Sequence, residues 1–349
     1  MFESLFQLFT FDIGIDLGTA NTRVGIKGKG VVLFEPSVVA INKATKEVLA
    51  VGKEAKEMLG RTPASVVALR PLKDGIIVDF DTTLAMLKYF INKVHQENST
   101  YSTVPRPRVV IGVPSSITEV EKQAVIDAAE AAGAREAYVI EEPMAAAIGV
   151  GIPVNEPMGN LVVDIGGGTT DIAIISLGGI VVDKTIPIAG DEMDEQIVDF
   201  LKERYGILIG KRSAEKIKIT VGSAIPLKKE KFVAIQGRDL LKGLPRSVEI
   251  GSNDVVEAVA PSLHAMTEAI KQAIEDAPPE LVSDIFTQGM LLTGGGGKLE
   301  GLDKYWEEAL HIKVKRPADP SYSVVLGTLE ALNHLDVLKR LKEAERSLL

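Results

Sequence analysis

Short apolar runs broken by acidic and glycine-rich turns recur along the chain. Phe11-Asp-Ile-Gly-Ile-Asp16 reads as a strand, a Gly/Thr/Asn turn follows, and Arg23-Val-Gly-Ile26 reads as its hairpin partner. The same grammar returns as Leu161-Val-Val-Asp164, a Gly/Thr turn, and Asp171-Ile-Ala-Ile-Ile175. When Asp16 and Asp164 are aligned, each is followed by an aliphatic residue and then Gly, and Thr22 and Thr170 fall at matching places. The offset of 148 residues points to a duplicated α/β unit.

Between the hairpins, Arg108-Val-Val-Ile-Gly-Val-Pro114 is an apolar run of strand type. It leads into a helical stretch, Thr118 to Ala132, with Val120, Ala124, Val125, Ala128 and Ala129 at helical spacing. Thr118 with Glu121 three residues on is a capping box, and Gly133 supplies the stop. A strand at Tyr138 to Ile140 ends in Glu141-Glu142-Pro143 and an Ala-rich helix. After the second hairpin the pattern predicts helices over 192–205 and 213–221, short strands within 232–250, and a long helix over 254–277. Pro278-Pro279 punctuates that helix, and Met290-Leu-Leu-Thr293 is a strand opening onto Gly294-Gly-Gly-Gly297. Strands alternating with helices argue for α/β architecture with largely buried sheets.

Composition narrows the chemistry. The chain has 349 residues, about two domain-equivalents, with 46% hydrophobic and 25% charged residues, the balance of a folded protein. A formal charge of −9 removes the sequence-independent attraction on which nucleic-acid binding usually relies, and no nucleic-acid partner is expected. There is no cysteine, hence no thiolate metal site or thiol nucleophile. His95, His264, His311 and His334 lack ligand spacing, which speaks against zinc. Carboxylates, hydroxyls and backbone amides remain. The most apolar stretch, Leu161 to Val182, is interrupted by Asp164, Asp171 and glycines, so no membrane span is expected. The absence of a basic residue before Arg23 argues against a secretory signal, so a cytoplasmic protein is expected.

Asp16-Leu-Gly-Thr-Ala-Asn21 sets a carboxylate at a strand end, followed by a tight turn of small residues. Gly18 lets backbone approach a ligand, successive amides can face phosphate oxygens, and Thr19 and Asn21 add side-chain donors. Asp164-Ile-Gly-Gly-Gly-Thr-Thr170 offers the same arrangement with three consecutive glycines. Two carboxylates facing a triphosphate would repel it, so a Mg²⁺ ion is implied, held through its waters. Neither turn fits a GxxxxGK[ST] P-loop or a GxGxxG dinucleotide fingerprint.

The two hairpins, the Glu141-Glu-Pro-Met-Ala-Ala-Ala-Ile-Gly149 run and the Leu292-Thr-Gly-Gly-Gly296 turn resemble the actin/Hsp70/sugar-kinase superfamily. Within it the chain is similar to the MreB family of bacterial actins over nearly its whole length. Gly28-Lys-Gly-Val-Val, Glu35-Pro-Ser-Val-Val-Ala, Met58-Leu-Gly-Arg-Thr-Pro, Arg70-Pro-Leu-Lys-Asp-Gly and Ala277-Pro-Pro-Glu-Leu-Val-Ser-Asp-Ile carry that likeness. The resemblance implies an actin-like ATPase fold, two duplicated α/β lobes of two subdomains each around an ATP·Mg²⁺ cleft. Subdomain IA would comprise 1–35, 76–155 and 321–349, and IB 36–75. Subdomain IIA would comprise 156–190 and 250–320, and IIB 191–249.

By motif, the resemblance implies Asp16 and Asp164 near the metal and Gly18, Thr19, Ala20 and Asn21 in the first phosphate loop. Gly166, Gly167 and Gly168 would form the second loop, Glu215 and Lys218 would contact the ribose, and Gly294, Gly295, Gly296 and Gly297 would flank the adenine. From the residues alone, Glu215 and Lys218 read as a solvated i,i+3 pair. Hydrolysis needs a group to orient water, and phosphoryl transfer leaves the protein positioning and electrostatic work. Glu141 and Glu142 compete for that role. Pro143 suits the first helical position, and in the related Hsp70 pattern the acid immediately before Pro lies near the water. Glu142 is therefore expected to be catalytic, with Thr169 as its partner.

Met1 to Thr10 precede the first strand. At about 100° per residue, Phe2, Leu5, Phe6, Leu8 and Phe9 fall within one arc, which predicts a membrane-interfacial helix. A second apolar loop, Asn98 to Pro105, offers only Tyr101 and Val104. The function implied is a weak ATPase whose filaments lie on the inner face of the cytoplasmic membrane, organise cell-wall synthesis and maintain rod shape. Partners would be further copies of the chain and elongation machinery of RodZ/MreC/MreD type. An Hsp70-like chaperone ATPase and a superfamily small-molecule kinase are the alternatives. The first lacks sequence room after Gly297 for a substrate-binding domain; the second needs an acceptor-site base beyond Glu142.

Overall fold

The computed structural model describes residues 11–98, 106–335, 338 and 339. The expected interfacial segment Phe2 to Phe9 and the loop Tyr101 to Val104 lie outside these residues. Internal contacts divide the chain into two units, Met1–Val154 with Tyr322–Leu349, and Asn155–Ser321.

The first unit opens with an antiparallel meander, β1 (Ile13–Leu17), β2 (Asn21–Ile26) and β3 (Gly30–Pro36). β4 (Val39–Asn42), β5 (Val48–Val51), helix α1 (Lys53–Met58) and β6 (Val66–Leu69) then build a small sheet of order β5-β4-β6. A short hairpin of β7 (Leu72–Lys73) and β8 (Ile76–Ile77) leads to α2 (Phe80–Asn98). β9 (Arg108–Val113), α3 (Glu119–Ala131), β10 (Glu136–Glu141) and α4 (Glu142–Gly149) complete this stretch. The main sheet has the order β10-β9-β1-β2-β3, with β10, β9 and β1 parallel.

In the second unit β11 (Asn160–Ile165), β12 (Thr170–Ser176) and β13 (Gly179–Ile186) repeat the meander. α5 (Gly190–Tyr205), β14 (Ile207–Leu208) and α6 (Lys211–Val221) follow. The hairpin β15 (Phe232–Asp239) and β16 (Pro245–Gly251) pairs with β14 to form a small sheet. α7 (Ser252–Glu275), α8 (Pro279–Gln288), β17 (Met290–Thr293), α9 (Leu302–Leu310) and β18 (Val314–Lys315) close the unit. Its main sheet runs β13-β12-β11-β17-β18. The two orders are the same: three antiparallel strands of a meander, then two parallel additions. The duplication read from the two aspartate hairpins is thus a duplication of whole five-stranded sheets.

Helix α10 (Ser323–Ala331) returns the chain to the first unit. One face of that unit's main sheet packs Ile13, Ile15, Val109 and Ile111 against the apolar stripe of α2 (Met86, Leu87, Phe90, Ile91, Val94). The other face admits α10 at close range because three strand positions are glycines. A Cβ on Gly14 would lie 2.4 Å from Thr328 Oγ1, one on Gly25 2.6 Å from Leu329 Cδ1, and one on Gly112 2.7 Å from Val324 Cγ1. α10 crosses α4 as closely, since a Cβ on Gly327 would meet the Ala145 carbonyl oxygen at 1.7 Å. In the second unit the core gathers Ile172 and Ile174 with Met193, Ile197, Ile217, Val259 and Met266. Trp306 is fully buried there, and its indole N–H donates to Thr267 Oγ1 at 3.1 Å.

The capping box appears as read: Thr118 Oγ1 accepts from Glu121 N–H at 3.3 Å, and Glu121 Oε2 accepts from Thr118 N–H at 2.9 Å. Two elements differ from expectation. The strands within 232–250 are not short; they run eight and seven residues, most positions are exposed or half-buried, and the apolar alternation that marks a strand is correspondingly weak. Helix α2 is absent from the sequence-based expectations, although Met86, Leu87, Phe90, Ile91 and Val94 recur at helical spacing and signal it.

Candidate functional site

In the first unit, strand register gathers the candidate residues. Asp16 lies opposite Arg23 on β2 and beside Gly112 on β9. Gly112 in turn adjoins Glu142, whose Cγ would be 3.5 Å from a Cβ placed on that glycine. Asp16, Gly112 and Glu142 therefore cluster at the same end of the sheet. The turn that follows Asp16 is tight, since a Cβ on Gly18 would approach the Asn21 carbonyl oxygen to 2.7 Å. Ser37 Oγ donates to the Gly18 carbonyl at 2.6 Å, and Thr19 Oγ1 accepts from Gly75 N–H at 2.9 Å, so the turn is pinned from two sides. Ala20 and Asn21 are half-buried at its tip.

Asp16 is buried, and Arg23 Nη1 donates to its Oδ2 at 2.9 Å. Burial pushes the Asp16 carboxyl above the ordinary aspartate value, and the Arg23 charge and hydrogen bond oppose that rise. Arg23 was read from the sequence only as a strand residue. The signal that places it in the site is the hairpin register, which puts it across from Asp16.

The two competing acids separate cleanly. Glu141 is the N-cap of α4, half-exposed, with Lys122 Nζ 3.7 Å from its Oε1. Glu142 is buried in the first turn of the helix. It occupies the first helical position itself, with Pro143 following, one residue later than the sequence reading set the proline; the second position also lacks an intrahelical N–H partner, so Pro fits there too.

The second unit gathers its own set. Asp164 is buried on β11, opposite Asp171 and beside Thr293. Thr185 Oγ1 donates to Asp171 Oδ1 at 2.6 Å. The turn closes through Gly166 N–H to the Thr169 carbonyl at 2.8 Å. The start of α5 is laid against this turn: Gly190 N–H donates to the Gly166 carbonyl at 3.3 Å, and Asp191 N–H to the Gly167 carbonyl at 2.8 Å. Gly168 and Thr169 are buried. Gly294, with φ +82°, is pressed onto the same strand end, and a Cβ there would lie 2.3 Å from Asp164 Oδ1 and from the Ile165 carbonyl oxygen. Gly295 is exposed, Gly296 half-buried and Gly297 buried in the short turn beyond.

Lys218 on α6 reaches this region. Its ammonium donates to the Gly190 carbonyl and lies 2.8 Å from Asp194 Oδ1. Burial raises Asp194 to about 6, with Lys218 pulling the other way. Glu215, one turn earlier on α6, is half-buried and adds to the upward push on Asp194. The solvated i,i+3 reading of Glu215 and Lys218 does not describe this lysine, which is largely buried and paired across helices. Asp194 and Gly190 were not read from the sequence, because their link to Lys218 joins residues far apart in the chain.

Among the described residues no three His, Asp or Glu side chains come together as a metal cage. The buried carboxylates at the two tight turns, Asp16 at one and Asp164 with Asp171 at the other, are hard oxygen donors. They fit a magnesium nucleotide, in which the metal takes one or two carboxylates, phosphate oxygens and its own waters.

A family model described as MreB/Mbl protein matches residues 10–340. The chain belongs to the MreB/Mbl family. The cell shape-determining protein Mbl of Bacillus subtilis is 48% identical over 96% of this chain and 99% of its own. The cell shape-determining protein MreB of Escherichia coli is 46% identical over 97% of each. Among solved structures, MreB5 of Spiroplasma citri bound to ADP is 34% identical, with a TM-score of 0.87 over 95% of this chain and 98% of that one. A structure of the same relative is bound to AMPPNP. The MamK double helical filament matches with a TM-score of 0.78 at 23% identity, a likeness of fold. Family and fold are thus those that the sequence motifs resemble, and the fold is actin-like.

Proposed function

We propose that this chain is an ATP-binding, weakly ATP-hydrolysing bacterial actin that polymerises and takes part in determining cell shape. The observation that carries the reading is the repeated five-stranded sheet, each copy with a buried aspartate at the end of its first meander strand and a tight turn of small residues after it, in a chain of the MreB/Mbl family. The curated relatives are named for cell shape, and relatives of known structure hold ADP or AMPPNP. None of these similarities favours a chaperone or a small-molecule kinase.

In this reading the turns Gly18–Asn21 and Gly166–Gly168 are the phosphate loops, with amides and the Thr19 and Asn21 side chains as donors. Asp16 and Asp164 serve the metal through water, and Gly294–Gly297 gives a flat ring room beside the backbone. Magnesium, when bound, neutralises phosphate charge and polarises the γ-phosphoryl group. Glu142, buried beside Gly112, orients the attacking water, with Thr169 as partner. Glu215 borders the ribose, and Lys218 shapes that border by holding the start of α5. The subdomain boundaries expected from the sequence, with IB at 36–75 and IIB at 191–249, stand as part of the same reading. So do filaments on the inner face of the cytoplasmic membrane, anchored by Phe2, Leu5, Phe6, Leu8 and Phe9, and partners of the cell-wall elongation machinery.

Negative-stain microscopy and pelleting with and without ATP·Mg²⁺ test the proposal. Filaments that need nucleotide support it. Monodisperse particles that bind ATP and phosphorylate a small acceptor would replace it with the kinase reading.

A further inference from the structure

The hairpin of β15 and β16 ends in a turn that leaves leucine in solvent. Leu241 is 97% exposed, Leu244 63% and Leu240 42%, and among the described residues no other large apolar side chain is as open as Leu241. Single exposed leucines are ordinary, but three within five residues at one tip mark a contact surface.

The turn is held by its own backbone. Asp239 Oδ1 accepts from the N–H groups of Leu241 at 2.9 Å and Lys242 at 2.8 Å, and Gly243, with φ +69°, donates to the Asp239 carbonyl at 2.8 Å. Asp239 N–H closes the loop on the Leu244 carbonyl at 2.9 Å. The turn is also tied to the end of α5: Leu240 N–H donates to the Gly206 carbonyl at 2.9 Å, and Arg246 Nη1 to the Tyr205 carbonyl at 3.0 Å. The leucines are therefore presented on fixed backbone, and docking them orders little that is not ordered already.

Charge selects the partner. The tip carries Arg238, Lys242 and Arg246 against one acid, Asp239, whose carboxylate is taken up by the turn and lies 3.4 Å from Arg246 Nη1. In a chain of net charge −9 this is a local cationic excess around an apolar point. The last turn of α5 adds Lys202 and Arg204 beside Glu203. A protein partner would have to bring a pocket for a protruding tip, whereas a bilayer accepts leucine side chains among its acyl chains while Lys and Arg meet anionic headgroups. We propose that the 240–244 turn is a lipid-inserting tip that seats the second unit on an anionic membrane surface. This rests on the reading of membrane-bound filaments and adds to it a contact separate from Phe2 to Phe9.

The test uses the full-length chain with vesicles of phosphatidylcholine alone and of phosphatidylcholine mixed with phosphatidylglycerol. Leu241→Ser together with Leu244→Ser should lower affinity for the anionic vesicles at least about fivefold, since each inserted apolar side chain adds to partition. Its urea midpoint should stay near wild type, because both side chains are exposed. Lys242→Glu should weaken binding to the anionic vesicles and leave binding to neutral ones as it is. Leu241→Trp places a reporter at the tip of a chain whose single tryptophan, Trp306, is fully buried. Brominated acyl chains should quench the added emission and leave that of wild type unchanged. Equal vesicle affinity of wild type and the double-serine variant overturns the proposal, as does Leu241→Trp emission that brominated lipid leaves untouched on vesicle-bound protein. So does a blue shift of that emission on adding ATP·Mg²⁺ without vesicles, which assigns the tip to a contact between copies of the chain. Wild-type protein that binds neither kind of vesicle removes the membrane reading itself, and the proposal with it.

Discussion

Replacing Lys218 by Met should destabilise the second unit in a way that depends on pH, and the sign follows from Asp194. The ammonium lies 2.8 Å from Asp194 Oδ1, and both side chains are largely buried. Burial raises Asp194 from 3.8 to about 6 even with Lys218 in place. A carboxyl whose folded value is raised binds its proton better in the native state. Its contribution to stability is full below the unfolded value and is lost as pH rises through the folded one. At neutral pH the shift already costs about 3 kcal/mol, at about 1.4 kcal/mol per unit. Removing the lysine leaves a buried, uncompensated charge, and breaking such a pair costs about 3–5 kcal/mol. Near pH 5 Asp194 takes up a proton instead, and the cost should fall to about 1 kcal/mol, that of a lost hydrogen bond.

Trp306 is the single tryptophan and is fully buried in the same unit, so its fluorescence reports this unit's unfolding. Urea titrations of Lys218→Met and wild type near pH 5 and pH 7.5 should differ in the size of the loss by about 2 kcal/mol or more, larger at the higher pH. Adding Asp194→Asn should restore most of the stability at neutral pH, since the charge that needed the lysine is gone. An equal loss at both pH values, or no recovery in the double variant, would refute the reasoning.

Other outcomes are expected from the same geometry. Glu142→Gln should keep analogue binding and slow phosphate release about 10²–10⁴-fold, the usual worth of a positioned acid–base group, while Glu141→Gln, altering a half-exposed N-cap, should change turnover far less; a phosphate-release assay decides between them. Gly327→Ala should lower the melting temperature and cost more than about 1–3 kcal/mol of overpacking, because the new methyl meets backbone 1.7 Å away rather than a side chain that can turn; near-wild-type melting would mean that α4 and α10 separate easily. Removing residues 2–9 should leave ATP turnover intact and abolish co-sedimentation of filaments with liposomes, because each weakly inserting segment gains about 10²–10⁴-fold in avidity only when linked in a polymer; full co-sedimentation would move the anchor elsewhere, with Tyr101 to Val104 next.

Short-range patterns were legible in the sequence. The Thr118/Glu121 capping box, the two aspartate hairpins and the strand before Gly294 are each set by residues within a few positions of one another, where turn and cap chemistry acts. The alignment of Asp16 with Asp164 revealed the duplication because a strand end and its turn repeat as a unit. What stayed hidden depends on distant partners. Gly14, Gly25 and Gly112 read as ordinary strand glycines until α10, more than 200 residues on, is found lying on them. Lys218 reads as a solvated surface lysine until α5 brings Asp194 and the Gly190 carbonyl to it. Pro143 marks the helix start in the sequence and favours Glu142 over Glu141, but that Glu142 is buried and Glu141 half-exposed is visible only in the fold.

The residue opposite each aspartate is a single position with a large electrostatic consequence. Antiparallel pairing with a turn of given length places residue 23 across from Asp16 and residue 171 across from Asp164, whatever side chains stand there. The tight turn and the apolar strand make the hairpin in each copy, whereas a carboxylate buried at the strand end adds nothing to that hairpin and costs desolvation. The hairpin makes no demand on the opposing position either, so duplicated hairpins are free to diverge in charge without losing their fold. Here one copy answers its aspartate with Arg23 and the other with Asp171. Arg23 donates to Asp16 at 2.9 Å across the first hairpin, whereas the second hairpin sets two buried carboxylates opposite each other.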